Sequence, residues 1–129
     1  MTIMVAVPDS VEGGRALEVA VGEALLRSTD LVIVNLALQP LDTSAVPADL
    51  AFRVVERVED LDATELVLET LARQEQEGPV ELLVIGMRRR SAVGKAVLGS
   101  VSQRLLLDAP VAVLAVKTGS VRRSPVPAG

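Results

Sequence analysis

The chain has 129 residues, 50% hydrophobic and 23% charged, with no His, Cys, Trp or Tyr and one aromatic residue, Phe52. That length holds one compact domain. The composition excludes disulfides, thiolate nucleophiles, Cys-type zinc sites and any Ser-His-Asp or Cys-His catalysis, and it leaves nucleic acid no aromatic platforms to stack on. Carboxylates, hydroxyls, Arg, Lys and backbone N–H groups remain, a set better suited to binding than to catalysis.

In chain order, Ile3–Val7 (IMVAV), closed by Pro8-Asp9-Ser10, reads as a buried strand. Residues 11–28 place Ala16, Leu17, Ala20, Val21, Ala24 and Leu25 at helical spacing. Leu31–Leu38 is apolar on both faces except at Asn35 and predicts a second buried strand. Residues 39–51, with Pro40 and Pro47, hold at most a turn or two of helix. The more polar Phe52–Val58 predicts an edge strand. Asp62-Ala-Thr-Glu65 resembles a capping box opening a helix to about Gln76, which Gly78-Pro79 ends. Glu81–Gly86 is the fourth strand, Met87–Leu98 a basic loop, Gly99–Asp108 a short helix and Val111–Lys117 the fifth strand. Buried strands alternating with helices predict a five-stranded, doubly wound parallel α/β domain over residues 1–117, followed by a disordered tail over 118–129.

Charge is uneven along the chain. Residues 1–85 carry five Arg against sixteen acids (5 − 16 = −11), and residues 86–129 carry eight Lys or Arg against Asp108 alone (8 − 1 = +7), for a net −4. So acidic a chain is a poor nonspecific partner for nucleic acid, while its basic last third suits a small anion. No apolar run approaches the roughly 20 residues of a membrane helix, and the start MTIMVAV has no basic region and is interrupted by Pro8 and Asp9 too early for a signal peptide. A cytoplasmic protein is expected, with neither nucleic acid nor membrane as partner.

Open parallel sheets bind ligands beyond the carboxyl ends of their strands, where the strand order reverses. Two segments belong there: Pro8-Asp9-Ser10 and residues 86–102. Gly86 permits a sharp turn, and Gly99-Ser100 opening a helix turns free N–H groups and a hydroxyl toward a phosphate. Arg88, Arg89, Arg90 and Lys95 add positive charge. Each feature also has a plainer reading. Ser100-Val-Ser-Gln103 is itself a capping-box pattern, Asp9-Ser10 suits a helix cap, and the Arg run suits a solvated loop. Asn35 needs a hydrogen-bond partner inside its strand, so it either ties down a loop or borders a ligand.

The segment from Gly86 to Lys117 resembles the glycine signature of the universal stress protein family, G-x-x-G-x9-G-[ST], with Gly86, Gly99 and Ser100 in register and VSQRLLLDAPVAVLAVK following. The resemblance extends weakly over residues 1–117. It implies a Rossmann-like sheet of strand order 3-2-1-4-5 and an ATP site touching Val7, Pro8, Asp9, Asn35, Gly86, Arg89, Gly99, Ser100 and Val101. It also implies a homodimer through strand 111–117, whose two apolar faces leave an edge open to a second copy. Two departures stand out. The signature's second glycine is Arg89, and the acid that closes strand 1 in V-D-G-S is displaced past Pro8 to Asp9. The connection between strands 2 and 3 is short, so the family's second helix is stunted or absent and part of one sheet face stands open or available to a partner. The expected function is a non-catalytic regulatory module with an adenine-nucleotide site. The alternatives are a dimeric scaffold of the same fold that binds no nucleotide, and a response-regulator receiver using Asp9, Asp60 and Lys117, which would lack paired acids after strand 1.

Overall fold

The strands β1 (Thr2–Val7), β2 (Asp30–Asn35), β3 (Phe52–Val55), β4 (Val80–Arg90) and β6 (Val113–Lys117) run parallel in the order β3-β2-β1-β4-β6, in a computed structural model. It describes residues 1–57, 60–90 and 95–117, and only the backbone of 89, 90 and 95–97. Counting the parallel strands alone, this is the expected 3-2-1-4-5 order. β1 lies between β2 and β4, so its carboxyl end is where the chain's course reverses, the place at which such sheets take ligands.

Strand periodicity sends alternate β1 residues to opposite layers. Ile3, Val5 and Val7 pack with α1 (Val11–Arg27), and Met4 and Ala6 pack on the side of α2 (Ala63–Glu77) and α3 (Ser100–Asp108). The buried stripe of α1 consists of Gly13, Ala16, Ala20 and Ala24. Such small side chains let the helix lie close to the sheet. Its start is capped by Ser10, whose Oγ accepts from the Gly13 N–H at 3.2 Å. α2 starts on Asp62, whose carboxylate accepts from the N–H groups of Thr64 (3.0 Å) and Glu65 (3.4 Å), as the capping-box resemblance predicts.

Two departures from the sequence reading matter for function. Residues 36–51 form only turns, but the sheet face they cross is not open: Val46 and Leu50 are buried in the α1-side core and stand in for a helix. The basic segment is not all loop. β4 continues to Arg90 and pairs in antiparallel register with β5 (Lys95–Val97), Arg88 opposite Val97 and Arg89 opposite Ala96. Arg89 accommodates this where a glycine would favour a turn, because any L-residue adopts extended backbone. β3 is shorter than expected, ending at Val55; Val58, the four residues 91–94 and the tail 118–129 lie outside the described residues. Among those described, no helix is long and apolar enough to cross a membrane.

Candidate functional site

Gly86 and the start of α3 come together where the parallel pairing of β4 ends; the chain makes no turn at Gly86, which lies inside the strand. The Ser102 hydroxyl donates to the Gly86 carbonyl at 3.2 Å, fastening the strand to the helix's first turn. Gly86 is required by contact: a Cβ there would lie 2.6 Å from the Glu12 carbonyl oxygen and 2.9 Å from Glu12 Cβ. Its small size thus seats α1 over β4. Gly99 differs, since a Cβ there would meet nothing within 4 Å and its φ of −69° suits any residue. Gly99 is the N-cap of α3, no side chain caps that helix, and its first backbone bond runs from the Gln103 N–H to the Gly99 carbonyl. The capping-box reading of Ser100 is therefore corrected: Ser100 is the first helical residue. The first-turn N–H groups of α3 have no intrahelical acceptor, and Ser100, Val101 and Ser102 line a cleft of about 260 Å³ together with Pro8, Asp9 and Gly86.

The cleft carries charge of both signs. Arg88 Nε donates to Glu12 Oε2 at 3.0 Å across its lip. The Glu12 carboxyl is held below the usual carboxylate range, first by its own backbone N–H, then by Arg88 and Ser10, all acting against the burial that pushes it up. The sequence offers Arg88 as a source of positive charge, but its guanidinium is already paired with Glu12.

Beside this cleft, and sharing Pro8, Val101 and Ser102 with it, lies an apolar one of about 180 Å³ walled by Ala6, Leu36, Ala63 and Leu105, with Arg57 at its edge. Arg57 donates to the Leu36 carbonyl at 3.0 Å. Val7 and Asn35 instead line a third cleft, against Gly14 and Leu17 of α1, and Pro8 and Asp9 face both it and the charged one. Asn35 is fully buried, and its amide is spent on the fold: it donates to the Gln39 carbonyl at 2.8 Å and Glu56 Oε1 at 2.9 Å and accepts from the Ala37 N–H at 3.0 Å. It ties down the loop after β2. Of the nine residues singled out from sequence, Pro8, Asp9, Gly86, Gly99, Ser100 and Val101 converge, Val7 and Asn35 stand one cleft away, and Arg89 contributes strand backbone, its side chain lying outside the description.

A match to the universal stress protein family covers residues 68–117, from within α2 through β6. A universal stress protein of Mycolicibacterium smegmatis is 35% identical to this chain, the match covering 81% of this chain and 88% of that one. This chain belongs to the universal stress protein family. The structure of a universal stress protein from Archaeoglobus fulgidus superposes with a TM-score of 0.66 at 24% identity, covering 91% of this chain and 98% of that one. A structure of a universal stress protein from Archaeoglobus fulgidus in complex with dAMP gives 0.61 at 19%, with the same shares covered. A universal stress protein solved with cAMP gives 0.57 at 21%, again covering 91% and 98%. These likenesses establish the fold. They agree with the strand order, which already sets the receiver reading aside, because receivers follow the 2-1-3-4-5 order of flavodoxin-like sheets.

Within this universal stress protein, sequence reasoning missed Glu12, Leu36, Ser102 and Leu105 at the clefts, and Gly13 behind them. A Cβ at Gly13 would overlap the Pro8 carbonyl oxygen. A signal was present there: Gly13-Gly14 in the first turns of a helix is costly unless something approaches closely. Glu12 carried no such signal, since an acid in a first turn is ordinary.

Proposed function

We propose that this universal stress protein is a non-catalytic regulatory module that binds an adenine nucleotide across the two clefts meeting at Pro8. The base lies against Leu36, Val101 and Leu105, and the phosphates lie at the start of α3 between Gly86 and Ser100. The observation that carries this reading is the uncapped N-terminus of α3, an electropositive end with free N–H donors opening into a cleft. The apolar cleft beside it supports the base position, and relatives solved with dAMP and cAMP support the class of ligand. ATP is the triphosphate form of that class. The test is mass spectrometry of small molecules released from the purified protein, followed by melting with magnesium-ATP, AMP and cAMP. Saturation at a hundredfold excess over Kd raises stability by about 2.7 kcal/mol. No released nucleotide and no shift with any of the three would reject the reading.

The same module acts as a cytoplasmic homodimer through β6. Among the described residues this strand pairs only with β4, and Val113, Leu114 and Ala115 are half-buried on it, which leaves an apolar edge for a second copy. Sedimentation at micromolar concentration is expected to give a species twice the chain mass; one of 13.6 kDa would reject the dimer. Should the dimer hold and the nucleotide fail, the scaffold function is the one that stands.

A further inference from the structure

The Glu12–Arg88 pair stands at the lip of the proposed phosphate cleft, and neither residue is one of the signature's fixed positions. The two partners differ in freedom. The Glu12 backbone is pressed against Gly86, and its side chain is 16% exposed, whereas that of Arg88 is 69% exposed. A phosphate entering the cleft therefore meets a fixed carboxylate and a guanidinium free to swing. Drawing Arg88 to the phosphate strips Glu12 of its partner beside the incoming charge.

We propose that Glu12 makes this cleft selective for nucleotides of low phosphate charge, acting as a built-in anion that holds the guanidinium an incoming phosphate needs. The inference rests on the nucleotide reading of the site. Asp9 and Glu12 set two negative charges against Arg88 among the described side chains lining the cleft. Each additional phosphate adds repulsion from Glu12, while the donors at the α3 start stay the same in number. Glu12 is thus a specificity-determining residue that favours a mono- or cyclic phosphate over a triphosphate.

The experiment is calorimetric titration of the full chain, and of its Glu12→Gln and Arg88→Gln variants, with adenosine, AMP and ATP at low and high salt. Glu12→Gln is expected to raise the ratio of ATP to AMP affinity about fivefold, the scale of an exposed ion pair. Arg88→Gln is expected to lower that ratio comparably, and both changes shrink at high salt. A ratio unmoved by Glu12→Gln, or moved in one direction by both variants, overturns the filter and leaves the nucleotide site standing. If adenosine, AMP and ATP all fail to bind both the natural chain and Glu12→Gln at millimolar concentration, the site reading falls and takes the filter with it.

Discussion

α2 and α3 begin on the same side of the sheet, yet one start is closed and the other open. Asp62 satisfies two N–H groups of α2 with its own carboxylate. Gly99 brings no side chain to α3, whose first-turn residues line the cleft. A side-chain cap contributes a few tenths of a kcal/mol more than a glycine at the same position, and α3 forgoes that contribution beside Gly86, whereas α1, which also begins against Gly86, is capped by Ser10. Stability is given up at the start where the proposed nucleotide site lies.

The sharpest break of this contrast removes the seat of the open site. Gly86→Val forces a side chain into the Glu12 backbone and is expected to cost about 1–3 kcal/mol, read as a lower midpoint in urea unfolding. Closing α3 tests the trade itself. Gly99→Asp meets no obstacle and supplies the missing cap, so it is expected to gain a few tenths of a kcal/mol in stability. The carboxylate then takes the donors meant for phosphate, and ATP affinity is expected to fall by about 1.4 kcal/mol, or tenfold. Unchanged ATP binding would break the contrast. Opening α2 is the converse: Asp62→Ala is expected to cost about 1 kcal/mol by urea unfolding and to leave the ATP Kd where it was.

The smallest effect concerns pH. Glu12 has a lower pKa folded than unfolded, so its contribution is complete above its unfolded value of 4.5 and is lost as acid protonates the folded carboxyl. Melting temperatures of Glu12→Gln should accordingly fall less steeply than those of the natural chain between about pH 5 and pH 3.

Periodicity was enough to locate β1, β2, β4, α1 and α2, because each of these buries a continuous face. Asp62 and the Gly86–Gly99 spacing were legible for a similar reason, being local chemistry at element ends. The residues that escaped are ones whose roles are set from far away in sequence. Val46 and Leu50 are isolated apolar residues in a Pro-containing loop, and only the α1-side sheet face gives them a place. Ser100 fits a capping pattern, but the chain enters α3 one residue earlier than that pattern requires. Arg89 carries on a strand because β5 returns to pair with it, a partner with only three residues to announce it. Glu12 takes its meaning from Arg88, 76 positions away.

The aromatic poverty of the chain has an optical consequence. Phe52, on the edge strand β3, is its only ring, and with neither Trp nor Tyr the protein hardly absorbs in the near ultraviolet. A single purine retained through purification would dominate the ultraviolet spectrum of the sample, so occupancy can be read from the absorbance of the first column fraction.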